Sequence, residues 1–187
     1  MRDDLRDRKV AILAVDGVER VELEQPRGAL YGAGAKSDII SIHPGEIQAR
    51  QFDLNPAGSF PVDRVVADAS VDDYDALLLP GGTMNPDQLR MNKDAVGFVK
   101  DFVASGKPIG VICHGPWTLV EADAVRGRRM TSWPSVRTDL RNAGAEVVDE
   151  EVVIDGQFTS SRSPADLPAF CAAILDQFAQ APHTVAG

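Results

Sequence analysis

The chain has 187 residues, a formal net charge of −9 and two cysteines. That length suits one α/β domain with helices on both faces of a sheet, the acidic balance argues against a nucleic-acid surface, and two cysteines are too few for a disulfide framework. The charged start MRDDLRDRKV lacks the apolar core of a secretory leader and no apolar run reaches membrane-spanning length, so the expected setting is the cytoplasm, with free thiols.

Residues 1–8 read as a frayed polar tail. Residues 9–15 (KVAILAV) form a first buried strand, closed by the turn Asp16-Gly17. A helix is expected from residue 18 towards residue 32, kinked or interrupted by Pro26. Residues 37–42 (SDIISI) are a second strand, His43-Pro44-Gly45 is a turn, and residues 46–53 (EIQARQFD) alternate weakly as an exposed or edge strand. Residues 55–61 (NPAGSFP) carry loop chemistry, and residues 62–67 give a short strand reached by an excursion from the main sheet. Residues 75–79 (DALLL) are a central strand closed by Pro80-Gly81-Gly82, and Asn85-Pro86-Asp87 continues as loop. A helix over residues 92–105 sets Ala95, Val96, Val99, Phe102 and Val103 on one face and stops at Gly106.

Residues 108–112 (PIGVI) read as a strand buried on both faces, ending abruptly in Cys113-His114-Gly115-Pro116. Pro116 is placed to open a helix over residues 117–122. Cys113 therefore falls at a strand-to-helix turn, where the positive end of the helix is expected to favour thiolate. Residues 128–131 are a short strand, and Ser135 caps a helix that reaches Asn142 and ends at Gly144. Residues 146–148, 151–154 and 157–160 read as strands, the last two joined by the hairpin signal Asp155-Gly156. A last helix over residues 165–180 places Leu167, Phe170, Cys171, Ile174, Leu175 and Phe178 on one face, which makes Cys171 a small core residue.

Buried strands alternating with helices mean an α/β fold with a mostly parallel sheet, whose sites lie at the carboxyl ends of the strands. Three stretches then converge: the loop after strand one (residues 16–19), Gly81-Gly82 and Cys113-His114. Cys113 is the candidate nucleophile. Adjacent side chains point different ways, so His114 is expected to orient or protonate substrate. Glu19 falls in the first turn of helix one, where a carboxyl can face the thiol and its own pKa would rise; an ordinary helix-dipole carboxylate is the plainer reading, and Glu22 and Glu24 are close alternatives. Gly81 and Gly82 leave backbone N–H groups open for an oxyanion. Asp87 on its own reads as a cap for a short helix. Histidines 43, 114 and 183 are too scattered for a metal site, and no cofactor is expected.

Six stretches in unbroken order, DGVERVEL (residues 16–23), LLLPGG (77–82), NPDQLRMN (85–92), VICHGP (111–116), RGRRMTSWP (126–134) and SSRSPADL (160–167), resemble the DJ-1/PfpI superfamily, in particular its PfpI-like branch of intracellular proteases and general stress proteins. The resemblance implies a single domain over residues 1–187 with a flavodoxin-like three-layer sandwich and a nucleophile-elbow cysteine. It implies a homodimer or larger homo-oligomer with the site near the subunit interface. The family's nucleophile falls on Cys113, its adjacent histidine on His114 and its glutamate beside the thiol on Glu19. A second acid, donated across the interface towards the histidine, falls on Asp87, where a glutamate is usual. The backbone N–H groups of Gly82 and His114 are the implied oxyanion donors. The His-x-Glu pair of class I glutamine amidotransferases is replaced here by Ser161-Arg162-Ser163-Pro164, which disfavours that activity. The expected function is a stress-protective cysteine enzyme attacking reactive carbonyls or their adducts. Intracellular peptidase and redox-sensing or chaperone-like protein without turnover are the alternatives.

Overall fold

The computed structural model describes residues 5–180. Strand β1 (Lys9–Leu13) leads through the two-residue strand β2 (Val18–Glu19) into helix α1 (Arg20–Gly32). Strands β3 (Lys36–Ser41), β4 (Glu46–Gln51), β5 (Asn55–Pro61) and β6 (Arg64–Val65) follow. Then come β7 (Ala76–Leu79), α2 (Met84–Leu89), α3 (Lys93–Ser105), β8 (Ile109–Ile112) and α4 (Pro116–Glu121). The chain closes with β9 (Arg129–Met130), α5 (Arg137–Asn142), β10 (Glu146–Val147), β11 (Val152–Asp155), β12 (Phe158–Ser161) and α6 (Leu167–Gln180).

A seven-stranded sheet runs β11-β12-β8-β7-β1-β3-β6. Every pair is parallel except the β11/β12 hairpin. The three central strands are apolar and almost wholly buried, as strands covered on both faces must be. On one face Phe98, Phe102, Leu119 and Leu140 cover the sheet; on the other Leu23, Leu30, Phe170 and Ile174 do. Each such side chain contributes roughly 1.5–3 kcal/mol by leaving water. This is the expected α/β sandwich. The parallel order β8-β7-β1 brings the three expected loops side by side at one sheet edge.

The departures concentrate in a second, three-stranded sheet of order β2-β4-β5. Residues 55–61, expected as loop, pair antiparallel with β4 across a bulge between Gln48 and Arg50. Pro56, Gly58 and Pro61 hide this strand from a propensity reading, but an edge strand tolerates them. Strand β2 delays helix α1 to Arg20 and makes Glu19 its N-cap. Pro26 does not interrupt that helix; it removes one i→i−4 bond and the helix continues to Gly32. The strand expected over 62–67 shrinks to Arg64–Val65, and the loop expected at 85–87 is a short helix, since Pro86 lies in the first turn, where no N–H is needed. Strands β9 and β10 form their own parallel ladder. The expected tail is corrected as well: Leu5 is fully buried and its N–H donates to the Ala33 carbonyl at 3.1 Å. Residues 1–4 of that expectation lie outside the described residues.

Candidate active site

Cys113 follows β8 directly and has φ +63°, a left-handed conformation unusual for a side chain with a Cβ. The strain is on the order of 1 kcal/mol. Two hydrogen bonds hold it: the Cys113 N–H donates to Ser161 O at 3.1 Å and its carbonyl accepts from Trp133 N–H at 3.0 Å. Gly115 lets the turn close, because a Cβ there would stand 2.7 Å from Leu79 O. The tight bend brings neighbouring side chains together. His114 Nδ1 lies 3.2 Å from Cys113 Sγ, so the expectation that the two point apart is corrected.

The carboxyl against the sulfur is that of Glu22, in the first turn of α1, and not that of Glu19. Glu22 is fully buried, and its Oε2 accepts from the Gly81 N–H at 2.8 Å. Its Oε1 is buried without a hydrogen-bond partner, and the carboxyl interacts with the neighbouring Cys113 thiol. Burial pushes the Glu22 carboxyl up to about 8, outweighing the hydrogen bonds from Cys113 and Gly81 that lower it. At neutral pH it therefore carries a proton. The expected thiolate-favouring helix end is not what governs the sulfur. Burial first, then the charge and hydrogen bond of Glu22, push the Cys113 thiol up, while the backbone N–H groups of Gly82 and His114 pull it down. Carboxyl and thiol act as a coupled pair, and a protonated Glu22 relieves the charge that opposes thiolate.

Gly81 and Gly82 are required where they stand. A Cβ on Gly81 would strike Glu22 Oε2 and come within 2.6 Å of the Cys113 Cβ. Gly82 has φ +82°, and a Cβ there would strike Gly17 O and stand 2.7 Å from Glu19 N. Beneath them Asn85, buried in α2, accepts from Val15 N–H at 2.8 Å and donates to Pro80 O and Gly81 O at 3.0 and 3.1 Å. Asn85 thus ties the end of β1 to the loop after β7.

Glu19 is also buried at the site but serves a different element. Its backbone N–H donates to Gly81 O at 3.2 Å, and its Oε2 accepts from the Phe52 N–H at 2.9 Å. Burial raises its pKa, opposed by hydrogen bonds from the Phe52 and Asp53 backbone. Those two residues form the tip between β4 and β5, both with positive φ (54° and 62°). Asp53 in turn takes two bonds from Thr83, from its N–H at 2.7 Å and from its Oγ1 at 2.8 Å. His114 Nε2 lies 3.5 Å from both Thr83 Oγ1 and Ser135 Oγ. Trp133 stacks on the imidazole with ring centroids 5.7 Å apart. Burial lowers the His114 pKa and the Asp53 charge opposes that, so the site favours the neutral ring.

These groups line a cavity of about 260 Å³ that holds Glu19, Glu22, Asp53, Gly82, Cys113 and His114 between Phe52, Trp133 and Pro164. Asp87 is not among its lining residues; it stands exposed on α2, beside Arg90 and Met91. Cys171 is half-buried at the margin of the core, its thiol pushed to about 11 by burial. Among the described residues no cluster of three or more His, Cys, Asp or Glu is placed to hold a metal ion, and no helix is long and apolar enough to cross a membrane. Glu22, Asp53, Thr83 and Asn85 are the site residues that the sequence reading passed over or left as alternatives. Glu22 had a signal: it falls in phase with Pro26 and Leu30 on the buried stripe of α1, where a carboxyl is out of place unless it has a partner.

Comparison with known proteins places this geometry among relatives. The DJ-1/PfpI family profile matches residues 8–177. Protein/nucleic acid deglycase 2 of Escherichia coli (strain K12) is 42% identical over 166 residues, 87% of this chain and 93% of its own length. General stress protein 18 of Bacillus subtilis (strain 168) is 39% identical over 165 residues, with coverage of 87% and 93%. Among solved structures, a protein from Anabaena variabilis with DJ-1/ThiJ/PfpI-like and ferritin-like domains superposes with a TM-score of 0.86 at 35% identity. That match covers 91% of this chain and 48% of the other, so this chain spans about half of the two-domain protein. Drosophila melanogaster DJ-1beta, at 24% identity, shares the fold with a TM-score of 0.83, covering 92% of this chain and 90% of its own.

Proposed function

This chain belongs to the DJ-1/PfpI family, and from that premise we propose that it is a cysteine-dependent deglycase, acting on small reactive carbonyls or their adducts with amines and thiols. We read residues 1–187 as one DJ-1/PfpI-like domain working in the cytoplasm, as a homodimer or larger homo-oligomer with the site near a subunit interface. The observation that carries the reading is a buried thiol held between a histidine nitrogen at 3.2 Å and a protonated carboxyl, inside a cavity sized for a small molecule.

The chemistry follows from those positions. The Cys113 thiol gives its proton to His114 Nδ1, and the sulfur adds to the aldehyde carbon. An S–C bond forms, and the carbonyl π pair moves to oxygen, which takes a proton to give a hemithioacetal. The N–H groups of Gly82 and His114, which already point at the sulfur, are the donors nearest the forming oxyanion. Where the substrate is an adduct, its C–N or C–S bond breaks and the amine or thiol leaves with a proton. Glu22, with a pKa of about 8, has an ionised fraction near neutral pH that is suited to take the proton from the former aldehyde carbon and return it to the adjacent carbonyl carbon of a 2-oxoaldehyde. This gives a thioester at unchanged overall oxidation level, and water then releases the hydroxy acid and the thiol.

The test is turnover of methylglyoxal and of its adducts with N-acetyl-lysine and N-acetyl-cysteine. Wild type should release lactate, and Cys113→Ala should lose at least ~10³-fold in rate. Unchanged turnover in Cys113→Ala, or cleavage of unfolded peptides in place of carbonyl turnover, would refute the reading. A monomer by light scattering at micromolar concentration would remove the oligomer from it.

A further inference from the structure

The imidazole of His114 can hold its one proton on either nitrogen, and the surroundings decide which. The Thr83 hydroxyl has a single proton, and it is committed to Asp53 Oδ2 at 2.8 Å; a carboxylate has none to give back. Towards His114 Nε2, 3.5 Å away, that oxygen can only accept. The exposed Ser135 hydroxyl, also at 3.5 Å, can turn either to accept from Nε2 or to donate to it, so Thr83 is the group that discriminates. A proton on Nε2 would give the committed Thr83 oxygen a donor, which favours that nitrogen as the protonated one. Nδ1 keeps its lone pair, 3.2 Å from Cys113 Sγ.

Two independent features indicate that this chain of contacts is built. Thr83 is the N-cap of α2, yet its hydroxyl makes no capping bond; a threonine there normally bonds the first free N–H groups of the helix. It has been turned instead to Asp53. Asp53 and Phe52 occupy two successive left-handed positions, which cost on the order of 1 kcal/mol each and persist where surrounding contacts over-determine them. Glu19 supplies those contacts by accepting from the backbone of both.

We propose that Asp53 and Thr83 are positioning residues that fix His114 as the Nε2–H tautomer, with Glu19 holding the strained hairpin tip that delivers Asp53. The acid acting through the histidine then comes from the β4–β5 tip of the same chain, and Asp87 of another copy is not needed for that task. The inference rests on the proposed deglycase reading only for its catalytic consequence, uptake of the thiol proton at Nδ1. The tautomer itself involves no substrate.

The experiment is a long-range proton–nitrogen correlation spectrum of ¹⁵N-labelled full-length protein at pH 7, with the His114 ring assigned by its loss in His114→Gln. Wild type should show the Nε2–H pattern. Thr83→Val, which keeps the shape and removes the hydroxyl, should shift the ring to a mixture or to Nδ1–H. Asp53→Asn should do the same, Thr83→Ser should restore the wild-type pattern, and Asp87→Asn should leave it unchanged. In turnover of the methylglyoxal adducts, Thr83→Val should lose about tenfold or more, and Thr83→Ser should recover to within about twofold. An Nδ1–H ring in wild type would overturn the proposal. So would a pattern unmoved by both Thr83→Val and Asp53→Asn, or one moved by Asp87→Asn alone. If the tautomer responds as stated while no form turns over the adducts, the positioning stands and the deglycase reading falls.

Discussion

The cavity is built from two regions of opposite character. Its floor is the carboxyl edge of β8, β7 and β1, where Cys113, Gly81, Gly82 and Glu22 are buried and Asn85 satisfies the backbone around them. Its rim is the tip between β4 and β5, where Phe52 is 70% exposed and two residues are held in left-handed backbone. The floor holds the reacting sulfur almost wholly buried at the bottom of the cavity. The rim brings a charged carboxylate to within influence of the histidine at a cost in local strain. The division places the pair that shares a proton where burial raises the proton affinity of both groups.

If the floor is a satisfied, rigid unit, cutting its central tie should have the largest effect. Asn85→Ala leaves the Val15 N–H and the Pro80 and Gly81 carbonyls without their partner and should destabilise the fold by about 3–5 kcal/mol in urea unfolding. A loss below about 1 kcal/mol would mean that the floor is looser than described.

Next in size is the pH dependence of stability that Glu22 contributes. Its folded pKa of about 8 stands above the unfolded value of 4.5, so between these two the folded state binds the extra proton. The stability it contributes is full below about pH 4.5 and is lost as pH rises towards 8 and beyond. The melting temperature of wild type should therefore fall across that window more steeply than that of Glu22→Gln. Equal slopes would place the titrating carboxyl elsewhere.

The smallest effect belongs to the rim, and its sign is opposite. Phe52→Gly removes a side chain from a left-handed position that is mostly in water, and should raise stability by about 0.5 kcal/mol after the added entropy of glycine is counted. Measurable destabilisation would show that the phenyl ring packs on the cavity.

The same contrast explains which parts were legible in the sequence. The floor announces itself: KVAIL, ALLL and IGVI are continuous apolar runs, and their parallel order forces the cysteine, the glycine pair and the first helix to one edge. The rim does not, because β5 reads NPAGSFP and takes its strand geometry from backbone pairing with β4, with Phe60 its one buried side chain. Asp53 was invisible for that reason. The choice between Glu19 and Glu22 turned on where α1 begins. The short strand β2 moves that start to Arg20, which turns Glu19 towards the hairpin and Glu22 towards the sulfur. Leu5 was lost among charged neighbours, since a single apolar residue has no periodicity.

The central claim is that Glu22, not Glu19, shares a proton with Cys113. The most direct measurement is the rate of Cys113 alkylation by iodoacetamide from pH 5 to 10, in a Cys171→Ser background, for wild type, Glu22→Gln and Glu19→Gln. Above the Glu22 pKa of about 8 its charge opposes thiolate formation, so the wild-type profile should carry an inflection there. That inflection should vanish in Glu22→Gln and persist in Glu19→Gln. Its loss in Glu19→Gln with retention in Glu22→Gln would contradict the assignment.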